Sequence, residues 1–211
     1  MTTSRTGTAD VVVIDSGGAN LASLEYALER LGARAEVTTS IERIRQAPRV
    51  LLPGVGAAED VMDRLRQAQL VSVIPELTQP VLGVCVGMQV LFDASEEARD
   101  GGSCACLGVV PGVVRRLPGS PALPVPHMGW NRCRRHGDDP LFDGLDDNAY
   151  FYFVHSYAAP VGAHTLASVR YGEEFTAAVR WRNFRGVQFH PERSAQAGAR
   201  LLANFIRSDV S

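Results

Sequence analysis

The sequence predicts an α/β protein: a single domain on a mostly parallel central sheet flanked by helices, with additional antiparallel strands in the C-terminal half. Apolar strand-like runs alternate with amphipathic helical stretches through the first ninety or so residues, an alternation that places parallel strands edge to edge and packs helices on both faces. After about residue 107 the runs are strand-like and divided by Gly, Pro and Asn, the texture of mixed or antiparallel sheet. The chain has 211 residues, 45% of them apolar and 21% charged, enough to bury one full core.

The elements follow in order. "VVVID" (11–15) is a buried strand, and Asn20 is placed to cap a helix on which Leu21, Leu24, Leu28 and Leu31 recur at helical spacing until Gly32 stops it. "AEVTT" is a second strand, and Thr39 with Glu42 forms a capping box for the next helix. "RVLLPGVG" is a third strand running into a glycine-rich turn, followed by an amphipathic helix over 57–69. "PVLGVC" is a fourth strand, with a helix over 86–93. "VVPGVVRRL", "NAYFYFVHSYAA", "HTLASVRYG", "FTAAVRW" and "RGVQFH" are the later strands, and a helix over 195–207 closes the chain. No repeat or linker divides it, so 1–211 reads as one domain with its core at about 11–207.

Composition narrows the function classes. A formal charge of −2 with interspersed signs gives no electrostatic attraction for nucleic acid or an anionic membrane. The opening "MTTSRTGTAD" lacks the apolar core of a secretory leader, and no apolar run nears the ~18 residues of a membrane helix. Cys85, Cys104, Cys106 and Cys133 form no CxxC pair and no zinc-ligand spacing, so reduced thiols, no metal and a cytoplasmic setting are expected.

"GVCVG" (83–87) raises the chemical question. Cys85 is either a small apolar residue packed in a core strand or a nucleophile held at a strand-to-helix turn. The second reading has the form of G-x-S-x-G with sulfur for oxygen: flanking glycines clear the space, the helix dipole favours thiolate, and the Val86 N–H faces a developing oxyanion. A thiolate needs a base. In "GVQFHPERS", Pro191 biases His190 to extended backbone, where residues two apart share a side, so Glu192 can accept the Nδ1–H of His190 and leave Nε2 for the nucleophile. The plainer alternative is a surface turn with a solvated acid.

Cys85 in G-x-C-x-G-x-Q together with "QFHPE" resembles the class I (triad) glutamine amidotransferases, which hydrolyse glutamine through a γ-glutamyl thioester and release ammonia. "LLPGVGAAEDVM", "LGVCVGMQVLFDASEE", "LGVVPGVVRRL", "VPHMGWN", "YFYFVHSYAA" and "GVQFHPERSAQAGARLLANF" are similar, within that class, to the glutaminase subunits of imidazole glycerol phosphate synthases, over roughly residues 11 to 207. The resemblance implies Cys85, His190 and Glu192 as catalytic residues. It implies Val86 and Val55 as oxyanion donors, the latter in "PGVG". It implies Gly56, Gln89, Glu97, Ser156 and Tyr157 as glutamine-binding residues, with His155 read as structural. Asn20, Met128, Trp130 and Asn131 are implied to face a partner. The chain departs from the family's first turn, D-Y-G-x-G-N, with Asp15-Ser16-Gly17-Gly18-Ala19-Asn20, and has Val86 where Leu is common.

No phosphate-binding glycine motif is present, so ammonia made here must pass to a second protein. The resemblance implies a heterodimer with a (β/α)₈-barrel cyclase that makes imidazole glycerol phosphate for histidine biosynthesis, and no cofactor. Two rivals remain at this level: a catalytically silent regulator of similar fold, and a cysteine hydrolase or chaperone acting on peptides or aldehydes.

Overall fold

Val11, Val12, Val13 and Ile14 are all buried, as a strand covered on both faces requires, and β-branched side chains suit that pleated environment. The computed structural model describes residues 9–17 and 21–207, so Asn20, the expected cap of the first helix, lies outside the described residues. The strands are β1 (Val11–Ile14), β2 (Ala35–Thr38), β3 (Val50–Gly54), β4 (Val81–Cys85), β5 (Phe92–Ser95), β6 (Cys104–Ala105) and β7 (Val110–Arg116) in the first part. They continue as β8 (His127–Arg132), β9 (Arg134–Arg135), β10 (Tyr150–His155), β11 (Tyr157–Ala158), β12 (Thr165–Tyr171), β13 (Glu173–Trp181) and β14 (Phe184–Val187). The α-helices are α1 (Leu21–Arg30), α2 (Ile41–Gln46), α3 (Ala58–Gln67), α4 (Val86–Gln89) and α5 (Ala195–Arg207).

The main sheet runs β2-β1-β3-β4-β14-β13-β12-β9. From β2 to β14 the pairings are parallel; β13, β12 and β9 extend the sheet antiparallel. The α/β class with antiparallel strands in the C-terminal half is therefore the architecture observed. A four-stranded sheet, β11-β7-β5-β6, and a two-stranded ribbon, β10-β8, complete it. Sites in such sheets form beyond the carboxyl ends of the parallel strands. The register sets Gly54 of β3 opposite Cys85 of β4, and Val84 opposite Val187 of β14, so three neighbouring strands end at one edge.

Two local expectations are corrected. The helix after Cys85 ends at Gln89 rather than at residue 93. Val90, Leu91 and Phe92 are buried, and the Leu91 carbonyl accepts from Val109 and Val110 N–H as the chain enters β5 beside β7. Sheet pairing overrides the helical pattern there. The α2 cap is Ser40, not Thr39: the Ser40 hydroxyl accepts the Arg43 N–H at 3.4 Å, and Thr38 Oγ1 accepts the Ser40 N–H. The patch "HMGWN", not assigned to an element from sequence, is part of β8.

Gly198, Leu201, Leu202 and Phe205 form the buried stripe of α5 at helical spacing. Gly198 sits so close to the Pro191 carbonyl that a Cβ there would collide with it, so α5 rests directly on the His190-Pro191-Glu192 segment. Among the described residues no helix is long and apolar enough to cross a membrane, and all four cysteines are unbridged. Gly198→Ala should therefore destabilise the fold by about 1–3 kcal/mol, the cost of overpacking a filled site. Urea unfolding measures it; an unchanged midpoint would show that α5 can shift away at no cost.

Candidate functional site

Cys85 terminates β4 and starts α4 with φ 56° and ψ −115°, a backbone conformation that costs a non-glycine residue of order 1–3 kcal/mol and persists only where its surroundings enforce it. The surroundings are a contact between α4 and the sheet with no room for side chains. A Cβ on Gly83 would lie 2.6 Å from the Gly87 carbonyl oxygen, one on Gly54 2.5 Å from the Gly87 N, and one on Gly87 would strike the Leu52 carbonyl. Gly186 on β14 faces Met88 as closely, with its hypothetical Cβ 2.7 Å from Met88 Cγ. The first turn of α4 is thereby pressed onto β3, β4 and β14, and Cys85 is levered into its turn at their shared edge.

His190 follows β14 by three residues. Its N–H donates to the Tyr152 carbonyl at 2.9 Å, and its own carbonyl accepts from Ser194 Oγ at 2.6 Å, while Ser194 Oγ accepts the Tyr152 N–H at 2.9 Å. This triangle fixes the backbone, and His190 Nδ1 lies 2.8 Å from Glu192 Oε1 with both side chains almost wholly buried. Cys85 faces the other side of the imidazole, close enough to act on its charge. Burial, the largest single cause, opposes charge on His190; the hydrogen bonds and charges of Cys85 and Glu192 together outweigh it and push its pKa up to about 10. Cys85, His190 and Glu192 are thus brought together, and Glu192 is a buried partner rather than a solvated acid.

A pocket of about 350 Å³ opens over Cys85, lined among others by Val55, Gly56, Val86, Gln89, Glu97, Ser156 and Tyr157. Every residue expected from sequence to hold substrate is in its wall. Gln89 is buried rather than solvent-facing: its Nε2 donates to the Tyr157 carbonyl at 2.8 Å and to Gln188 Oε1 at 3.0 Å. Its Oε1 is buried and has no hydrogen-bond partner among the described residues. Glu97 Oε2 accepts the Ala58 N–H at 3.1 Å, at the start of α3. Burial raises the Glu97 pKa most, the Ala58 N–H lowers it, and Asp60 raises it further; the net direction is upward.

Met128 and Trp130 project from β8 with 62% and 51% of their surface exposed, beside the exposed Tyr150 of β10. Trp130 is therefore a surface residue, not the core residue that an isolated tryptophan more often is. Asn131 is half-buried and turned inward, towards His127 and the Arg170 carbonyl. A larger open groove of about 760 Å³ runs along Arg132, Arg134, Arg135 and Arg170, but none of Cys85, His190 or Glu192 lines it. The smaller pocket holds Cys85, the candidate nucleophile.

Residues that sequence reasoning passed over also line or support this site. Gln188 Nε2 reaches Cys85 Sγ at 3.9 Å, and the alternation of "QFH" placed it on the same side as His190. Arg193 lines the pocket mouth and lies over the Tyr152 ring at 5.0 Å. His155 lines the pocket as well, and its pKa falls to about 3, chiefly through burial; that of His127 falls to about 4 for the same reason.

Residues 12–208 match the family model described as glutamine amidotransferase class-I. The chain is 48% identical over 207 residues to the imidazole glycerol phosphate synthase subunit HisH of Shewanella loihica, covering 95% of this chain and 92% of that protein. It is 51% identical over 197 residues to the same-named subunit of Xanthomonas oryzae pv. oryzae, covering 93% and 96%. Among solved structures, a Thermoplasma acidophilum protein described as a putative GMP synthase subunit superposes with a TM-score of 0.71 at 19% identity, over 96% of this chain and 94% of that one. A structure described as a glutamine amidotransferase superposes at 0.69 with 20% identity, over 94% and 97%. These two share the fold.

Burial holds His127 and His155 neutral, so between about pH 6.5 and their folded values the unfolded chain binds more protons than the folded one. Their contribution is fully present above pH 6.5 and is lost as the pH falls through that window. The urea midpoint should drop between pH 7 and pH 5, and drop less in His155→Gln. The same drop in both proteins would place the titrating groups elsewhere.

Proposed function

The chain belongs to the class I glutamine amidotransferases, and from that premise we propose how its residues do the work of the glutaminase subunit of imidazole glycerol phosphate synthase, in histidine biosynthesis. Its reaction is the hydrolysis of glutamine to glutamate and ammonia. The single observation that best supports the reading of the site is Cys85, strained at the end of β4, facing an imidazole whose Nδ1 is held by buried Glu192.

In this reading Cys85 gives its proton to His190, and the thiolate attacks the γ-carboxamide carbon of glutamine. The C=O electrons move onto oxygen, which the N–H groups of Val86 and Val55 receive. Collapse of this intermediate expels ammonia as His190 returns the proton to the leaving nitrogen, and a γ-glutamyl thioester remains on Cys85. His190 then takes a proton from water, hydroxide displaces the thiolate, and glutamate leaves. Glu192 keeps the imidazole in orientation throughout and stabilises its charged form, the part an orienting carboxylate plays in a triad.

The amino-acid end of glutamine meets Glu97, an acceptor suited to an α-ammonium, with Gly56, Gln89, Ser156 and Tyr157 completing the wall. The Gly54–Val55 peptide joins the oxyanion site to the end of β3, and Gly54 permits it to rotate, so docking of a partner can turn the Val55 N–H towards Cys85. The partner is the cyclase subunit, for which we propose a (β/α)₈ barrel docked on the face carrying Met128 and Trp130; Asn131, expected to share that face, turns inward. Asn20 belongs to that proposed face by resemblance and lies outside the described residues. The setting proposed is cytoplasmic.

The test separates the two halves of the synthase. In a purified complex with the cyclase, Cys85→Ala should abolish glutamine-dependent synthesis and leave ammonia-dependent synthesis within about twofold of wild type. Equal loss of both, in an assembled complex, would contradict the division of labour; retained glutamine dependence would remove Cys85 from the chemistry.

A further inference from the structure

Two histidines carry none of the steps above, although each sits in one of the sequence's most distinctive stretches: His127 in "PHMGWN" and His155 in "FVHSY". The antiparallel register of β8 and β10 sets them directly opposite each other. Both are buried, and His127 Nδ1 lies 3.0 Å from His155 Nε2. His155 Nδ1 continues to the Tyr157 carbonyl at 2.9 Å, and His127 Nε2 to Asn131 Nδ2 at 3.4 Å.

The ends of this chain fix its protons. The Tyr157 carbonyl can only accept, so His155 carries its proton on Nδ1 and presents a lone pair at Nε2. His127 must then donate from Nδ1, which leaves its Nε2 as the acceptor. Asn131 meets that acceptor with its NH₂, because its Oδ1 already accepts the Arg132 N–H at 2.9 Å. All the bonds run one way, from Asn131 on the exposed ribbon to Tyr157 in the pocket. The Tyr157 carbonyl in turn accepts from Gln89 Nε2 at 2.8 Å, and this fixes the orientation of the Gln89 amide in the pocket wall. The His127 ring is clamped between Phe153, at a centroid distance of 5.0 Å, and Tyr171, at 4.2 Å, so the relay cannot swing away.

We propose that His127 and His155 are positioning residues for glutamine: a one-directional relay of two neutral imidazoles that holds the Tyr157 carbonyl and Gln89 in register with the exposed β8 strand. Neither imidazole serves as a proton carrier, because both nitrogens of each are committed to neighbours. The inference rests on the glutaminase reading and adds to it a physical link between the ribbon and the amino-acid end of the pocket.

The test uses the assembled complex with the cyclase and a pair of variants that separate ring from hydrogen bond. His127→Phe keeps the stacked ring and removes both bonds. His127→Asn gives up the ring but returns a donor near the place of Nδ1. The relay predicts a KM for glutamine raised about tenfold in His127→Phe, the range set by loss of a hydrogen bond, with kcat within about twofold and ammonia-dependent synthesis unchanged. In His127→Asn the KM should return to within about threefold of wild type despite a lower melting temperature. A KM that follows melting temperature across the pair would overturn the proposal and make His127 a packing residue. Should His127→Phe not fold, nitrogen-15 imidazole spectra of the wild-type protein decide: the relay requires the Nδ1–H tautomer on both rings at pH 7, and an Nε2–H tautomer on either overturns it. If the wild-type complex hydrolyses no glutamine, the glutaminase reading itself fails, whichever tautomers the spectra show.

Discussion

The site depends on the contact between the first turn of α4 and the main sheet. Gly87 lies against the Leu52 carbonyl, and Gly54, Gly83 and Gly186 remove the side chains that would keep helix and strands apart. Because the helix starts so close to the sheet, Cys85 must take a positive φ to connect them. That conformation places its sulfur beyond the strand ends, beside the oxyanion candidates Val55 and Val86 and within reach of the element that follows β14. Packing at normal interior density makes the arrangement intolerant: each missing Cβ is a site where one added carbon would push the nucleophile out of line.

The second half of the chain brings the remaining groups to this edge. Strand β14 joins β4 in parallel, so the chain leaving it passes Gln188 and His190 across Cys85. The triangle of Tyr152, His190 and Ser194 ties that segment to β10, and α5 closes over it through Gly198. Strand β10 also carries His155 into the pocket wall and pairs with β8, whose Met128 and Trp130 face outward. One ribbon therefore borders both the pocket over Cys85 and the exposed face proposed for a partner subunit. A glutaminase whose ammonia is consumed by another protein needs such an arrangement if hydrolysis is to follow docking.

What the sequence disclosed was short in range. Cys85 at a strand-to-helix turn and His190 extended before Pro191 were legible locally. Glu192, by contrast, reaches His190 from a short 3₁₀ turn over Pro191–Arg193 rather than along extended chain, and the positive φ of Cys85 depends on packing. The α/β class was legible locally as well: buried parallel strands read as unbroken apolar runs, and α5 kept a clean helical period. The relay of His127 and His155 was not legible, since it depends on the strand register that pairs two residues 28 positions apart. The burial of Gln89 and the exposure of Trp130 were not legible from spacing, because helical or loop context alone does not say which face meets solvent. The helix after Cys85 was read too long because "VLF" (90–92) fits a helix as well as a strand, and only pairing with β7 decides between them.

The account comes down to a covalent claim about one sulfur, and that bond can be seen. The assembled complex, quenched in acid during steady turnover of glutamine and digested, should yield the peptide containing Cys85 with the mass of an added γ-glutamyl group. The adduct should be absent from Cys85→Ala. Rapid glutamine hydrolysis that continues in Cys85→Ala, with no adduct on the wild-type peptide, would contradict the account at its centre.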